Sequence, residues 1–137
     1  MLRVVYQLQD DPEMVAAMQK ATLTTEQFGI ELTHGLIGTE EWWSKIRSGE
    51  LRVHTLRGRI SRMYMGSMGD WPEFTLTTLE GESSSWTREA ANTELSKLYV
   101  EGRDVELDYV LQHHRKKSLD GGAEIKLVLA IRVADDA

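Results

Sequence analysis

The residues best suited to chemistry lie in the second part of the chain, and they are basic. Arg57 and Arg59 stand two positions apart, so on a strand they share one face. A denser run follows at His113-His114-Arg115-Lys116-Lys117. Tyr64 and Trp71 flank the turn-like stretch Gly66-Ser67-Met68-Gly69-Asp70. Aromatic rings beside basic loops are what single-stranded nucleic acid requires: platforms for bases and charges for phosphates. The competing reading is plainer, with the aromatics in a core and the charges in a solvated turn. The overall balance weighs against nucleic acid as the main ligand. Sixteen Lys and Arg meet 22 Asp and Glu, for a net charge of −6, where such proteins are usually basic. The same sign disfavours an acidic membrane surface. The charge is also uneven. Residues 1–50 carry four basic and eight acidic side chains, and residues 51–137 carry twelve and fourteen.

Other constellations are thinner. His34, His54, His113 and His114 invite a metal, but no third ligand stands at a known spacing and HExxH is absent. Ser83-Ser84-Ser85 is a hydroxyl run on a strand, not a nucleophile elbow. Asp70 and Glu73 pair carboxylates near an aromatic, as a glycosidase could, yet they suit a loop-to-strand junction as well. Glu101, Asp104, Glu106 and Asp108 read as a solvated acidic face. Neither GxxxxGK[ST] nor GxGxxG occurs. With no catalytic set, no metal site and no cofactor motif, the chain reads as a binding module rather than an enzyme. The absence of cysteine excludes disulfides and thiolate sites. No stretch approaches the ~20 apolar residues of a spanning helix, and the start lacks the apolar region of a secretory signal. A soluble, cytoplasmic protein with no membrane partner is the expectation.

Trp42 and Trp43 are the most suggestive pair for a protein partner. Neighbours on a helix point ~100° apart, so one ring can pack inward while the other reaches a second chain. Tryptophan concentrates where interfaces hold their energy. The alternative is that both are core.

The elements that position these residues can be read locally. Residues 2–8 suit a short strand. Asp11-Pro12 opens a helix, with Met14, Ala17, Met18 and Ala21 on its apolar face and Thr22, Thr24 and Thr25 at its end. Phe28, Ile30 and Leu32 alternate as a half-buried strand. Thr39 caps a helix from Glu40 to Arg47, and Gly49 stops it. From residue 51 the period becomes two. Leu51 to Met65 is a long strand with Leu56, Gly58, Ile60, Arg62 and Tyr64 on one face. A bulge is expected near His54-Thr55, and Gly58 marks a bend or close backbone approach. Strands follow over 71–79 and 83–88, then a short helix capped by Asn92. Val105, Leu107, Tyr109 and Leu111 face one way in the next strand, opposite Glu106, Asp108 and Gln112. The last strand alternates through Ile125, Leu127, Leu129, Ile131 and Val133.

Strand, strand, strand, short helix, strand, strand over residues 51–133 resembles the OB-fold order. The expected architecture is one α+β domain, 1–137: a five-stranded, OB-like, partly open β-barrel, with residues 1–50 as a strand and helix extension packed against it. The expected function is non-enzymatic binding of a protein partner, or of a second copy of the chain, through Trp42 or Trp43. The alternative is single-stranded nucleic-acid binding through Arg57, Arg59, Tyr64, Trp71, Arg115, Lys116 and Lys117. One observation separates them. The second gains if the basic clusters merge into one positive stripe, and loses if acids of the Glu101–Asp108 face interrupt it.

Overall fold

The structure is a computed structural model that describes residues 1–24, 29–66, 69, 71–113 and 124–136. Phe28 and the run 114–117 lie outside the described residues. The class is α+β. Strands β1 (Leu2–Gln7), β2 (Val53–Met65), β3 (Pro72–Thr77), β4 (Ser83–Thr87), β5 (Asp104–His113) and β6 (Glu124–Ala134) form one open sheet in the order β1-β6-β5-β2-β3-β4. The helices are α1 (Pro12–Thr24), α2 (Glu40–Ser48) and the single turn α3 (Thr93–Ser96). The strand count is therefore six where the sequence suggested five. The extra strand is β1, which the sequence reading left in the extension. It pairs antiparallel with β6, Leu2 opposite Ala134 and Gln7 opposite Ala130.

Helix ends follow their local signals. The Asp11 carboxylate accepts from the Met14 N–H at 3.2 Å, and Pro12 is the first residue of α1. The Thr39 hydroxyl accepts from the Trp42 N–H, and Gly49 closes α2 at φ 86°, a conformation a side chain would disfavour. The Asn92 side chain accepts from the Leu95 N–H.

The chain's contacts divide it into two compact units. The first comprises Met1–Gln7, Thr55–Asp108 and Ala130–Ala137. Its core is the inner face of the strands: Val5, Ile60, Phe74, Leu76, Leu107 and Ile131 are all essentially inaccessible. Tyr99 packs on Phe74, ring centroids 5.3 Å apart, and donates its hydroxyl to the Glu89 carbonyl at 2.6 Å. Burial, then the Glu89 charge, pushes that phenol's pKa up. At Gly58 the close approach expected from the sequence is present. A Cβ there would lie 2.4 Å from the Thr77 carbonyl oxygen.

The bulge in β2 falls elsewhere than expected. Its register against β3 shifts between Ile60 and Arg62, not at His54-Thr55. Ile60 pairs with buried Leu76, and Met63 pairs with buried Phe74. Ser61 is the added residue, so Arg62 and Tyr64 leave the face of Ile60 and turn outward.

The second unit comprises Leu8–His54 and Tyr109–Leu129. Leu8, Ile37, Trp42, Val110 and Leu127 form its core. Helix α1 ends at Thr24 as expected, and Thr22 in its last turn is buried, its hydroxyl donating to the Met18 carbonyl at 2.9 Å and accepting from the Ile30 N–H at 3.0 Å. Two expectations are corrected here. The strand sought at Ile30 and Leu32 reduces to isolated bridging residues at Ile30 and Thr33, with Leu32 exposed. In β5, Val105 and Leu107 are buried in the first unit, but Val110 and Gln112 in the second. The burial parity changes between Leu107 and Val110, so Tyr109 and Leu111 are not on the core face. Gln112 is buried because its Oε1 accepts from the Trp42 indole N–H at 3.0 Å. Among the described residues its Nε2 has no hydrogen-bond partner.

That bond sets a measurable coupling. Trp42→Phe removes the donor and leaves a gap, and is expected to cost about 2–4 kcal/mol. Adding Gln112→Leu removes the stranded amide as well, so the double variant should be more stable than Trp42→Phe alone. Urea melts of the two single variants and the double variant measure this. A double variant weaker than Trp42→Phe would refute the account.

Candidate functional site

The outward side chains of β2, β5 and β6 in the first unit form a lattice of ion pairs. Thr55, Arg57 and Arg59 come from β2, Asp104, Glu106 and Asp108 from β5, and Arg132 from β6. Alternation places each on the face opposite Val105, Leu107, Ile131 and Val133. Arg132 sits at the centre. Its Nη1 and Nη2 donate to the two Asp108 carboxylate oxygens, each at 3.0 Å, and its Nε donates to Glu106 Oε1 at 2.7 Å. This is a bidentate fork, the strongest form of such a pair. Arg57 Nε lies 2.5 Å from Glu106 Oε2, and Arg59 Nε 3.3 Å from Asp104 Oδ1. Thr55 donates its hydroxyl to Asp108 at 2.7 Å. Burial alone would raise the Asp108 pKa. The hydrogen bonds from Arg132 and Thr55, with the charges of Arg132 and Arg57, outweigh it and hold the carboxyl below its usual range.

Beside the lattice lies an open groove of about 1160 Å³, lined in part by Arg57, Gly58, Arg59, Asp104 and Glu106. The almost fully exposed Leu79 also lines it.

This arrangement decides the fate of the basic cluster. Arg57 and Arg59 share a face as expected, but each is matched by a β5 carboxylate, so the acids interrupt the stripe. Arg115, Lys116 and Lys117 lie outside the described residues. Tyr64 and Trp71 are in the first unit, on the outer side of the β2–β3 hairpin, away from the core face of Met63 and Phe74. The nucleic-acid reading has no support from the described residues. Among them no three His, Cys, Asp or Glu side chains converge, and His113 lies 3.5 Å from Glu31 alone.

In the second unit, Trp42 is fully buried and Trp43 half-buried against it, edge to face with centroids 4.8 Å apart. Trp43 alone presents part of its ring to solvent. The sequence reading missed Arg132, which organises the lattice. The available signal was parity: Arg132 alternates with Ile131 and Val133, and its row is that of Glu106 and Asp108.

Residues 2–134 match the family described as Immunity protein RhsI2. No curated protein matches the chain.

The Asp108 pairing has a pH signature. A carboxyl whose folded pKa lies below its unfolded value stabilises the fold above the unfolded value, and that contribution is lost as pH falls through the folded value. Asp108→Asn is expected to cost about 1 kcal/mol at pH 7, since a partly exposed pair is screened. The deficit should shrink below pH 4. Urea melts of both proteins at pH 7 and pH 3 check it, and an equal deficit at both would remove the ion pair as its cause.

Proposed function

The chain belongs to the RhsI2 immunity protein family, and on that premise we propose that it neutralises a toxin of the Rhs class by binding it. The observation that carries the reading is the extent of the match, 133 consecutive positions that take in residues of both compact units. Immunity of this kind is a matter of occupancy. The toxin is disabled for as long as the complex lasts, and no bond need be made or broken. A specific protein interface covers about 800 Å² per partner, a tenth of the 8515 Å² this chain exposes.

The first unit offers suitable material. Its outer face is polar and held in place by cross-strand pairs, so little ordering would oppose association. The OB-like description of residues 51–133 belongs to the same reading. It is supported by a long β2 that neighbours both β3 and β5, and by α3 between β4 and β5. No helix among the described residues is long and apolar enough to cross a membrane.

Calorimetric titration of the purified cognate Rhs toxin tests the proposal. The expected result is a one-to-one complex with a Kd near or below about 10 nM, about −11 kcal/mol, and loss of toxin activity at one equivalent. No complex at tens of micromolar would overturn it. A single-stranded oligonucleotide titrated at low salt, where phosphate binding is strongest, is expected to show no saturable binding.

A further inference from the structure

We infer that the toxin docks on the outer face of β2, β3 and β4, and meets Trp71, Tyr64 and Arg62 with an apolar side chain beside a carboxylate. The inference rests on the toxin-binding reading above and names the surface that does the binding.

Three observations converge on this face, all within the first unit. The first is exposure. Trp71 is 54% exposed, and it has the parity of the outward Glu73, which pairs with Tyr64. Tryptophan is enriched where interfaces concentrate their energy. The second is order. The Trp71 indole N–H donates to the Thr87 hydroxyl at 3.1 Å, and the Arg62 guanidinium lies 4.6 Å from the centre of the Tyr64 ring. Both rings are held before any partner arrives, which lowers the entropy lost on docking. Farther along the same face, at the other end of β3 from Trp71, Ser61, Thr77 and Ser83 share a chain of hydroxyl contacts at 2.7 and 2.9 Å. Rigid aromatics and arginine amid adaptable hydroxyls are the chemistry of protein-binding surfaces.

The third observation is charge, and it specifies the partner. Arg57, Arg59 and Arg132 each have a carboxylate within 3.3 Å. Among the described residues Arg62 has none, and its charge rests on a ring face instead. The strand therefore presents one cation unmatched by any carboxylate of the described residues, on the same face as the exposed Trp71. A carboxylate adjoining an apolar side chain satisfies both.

Calorimetry with the purified Rhs toxin separates this from the broader reading. Trp71→Ala and Arg62→Glu are each expected to weaken binding at least 30-fold, the hot-spot threshold. Arg62→Lys, which keeps the charge, should lose less. Lys97→Glu on α3 should stay within about threefold of the wild type, as a surface site outside the contact. Thermal melts confirm that each variant folds, as exposed positions permit. With 5-fluorotryptophan in this chain only, the fluorine resonance missing from Trp71→Phe should shift on adding toxin. If the wild type binds toxin while both variants bind equally well and that resonance stays in place, docking lies elsewhere and the inference is overturned, with the toxin-binding reading intact. If the wild type forms no complex, both fall.

Discussion

An arginine two residues after a buried isoleucine poses a problem that the rest of the first unit depends on solving. In an unbroken strand Arg62 would follow Ile60 into the core, and an unpaired buried guanidinium costs several kcal/mol. The extra residue at Ser61 resolves the conflict by reversing the alternation. Met63 turns in against Phe74, and Arg62 and Tyr64 turn out. One inserted residue thus keeps the core apolar and creates the aromatic and cationic end of the outer face.

The two halves of that face differ in how they treat charge. In the lattice of β2, β5 and β6, Arg57, Arg59 and Arg132 each find a carboxylate, and the bidentate Arg132 ties two positions of β5 to β6. Such a lattice adds little stability per exposed pair, but it fixes the relative placement of three strands. Along β2, β3 and β4 the partners are hydroxyls and rings. A net charge of −6 therefore says little about any one surface. Arg57 and Arg59 are neutralised by β5 carboxylates, and Arg62, which has no carboxylate among the described residues, was assigned to the wrong face.

What was legible in the sequence was what depends on near neighbours. Asp11 with Pro12, Thr39 with Gly49, and Asn92 each mark a helix end through bonds spanning a few residues, and all three stand. The alternation of β6 is equally local and holds from Leu127 to Val133. What was not legible depends on a partner far along the chain. Gln112 looks like a surface residue until Trp42, seventy positions earlier, supplies its donor. Thr22 lies at the helix end that the sequence marked, but its second task, accepting from the Ile30 N–H, depends on a residue eight positions on. The position of the bulge follows from which β3 residue opposes each β2 residue, and no property of residues 53–65 alone announces it.

The pairing of β1 with β6 has a consequence in time. Leu2 is bonded into the sheet opposite Ala134, so β1 waits for β6, more than a hundred residues later in synthesis. At roughly 5–20 residues per second of synthesis, that wait is on the order of 6–26 s. Until β6 emerges, β1 has no β6 edge to pair with.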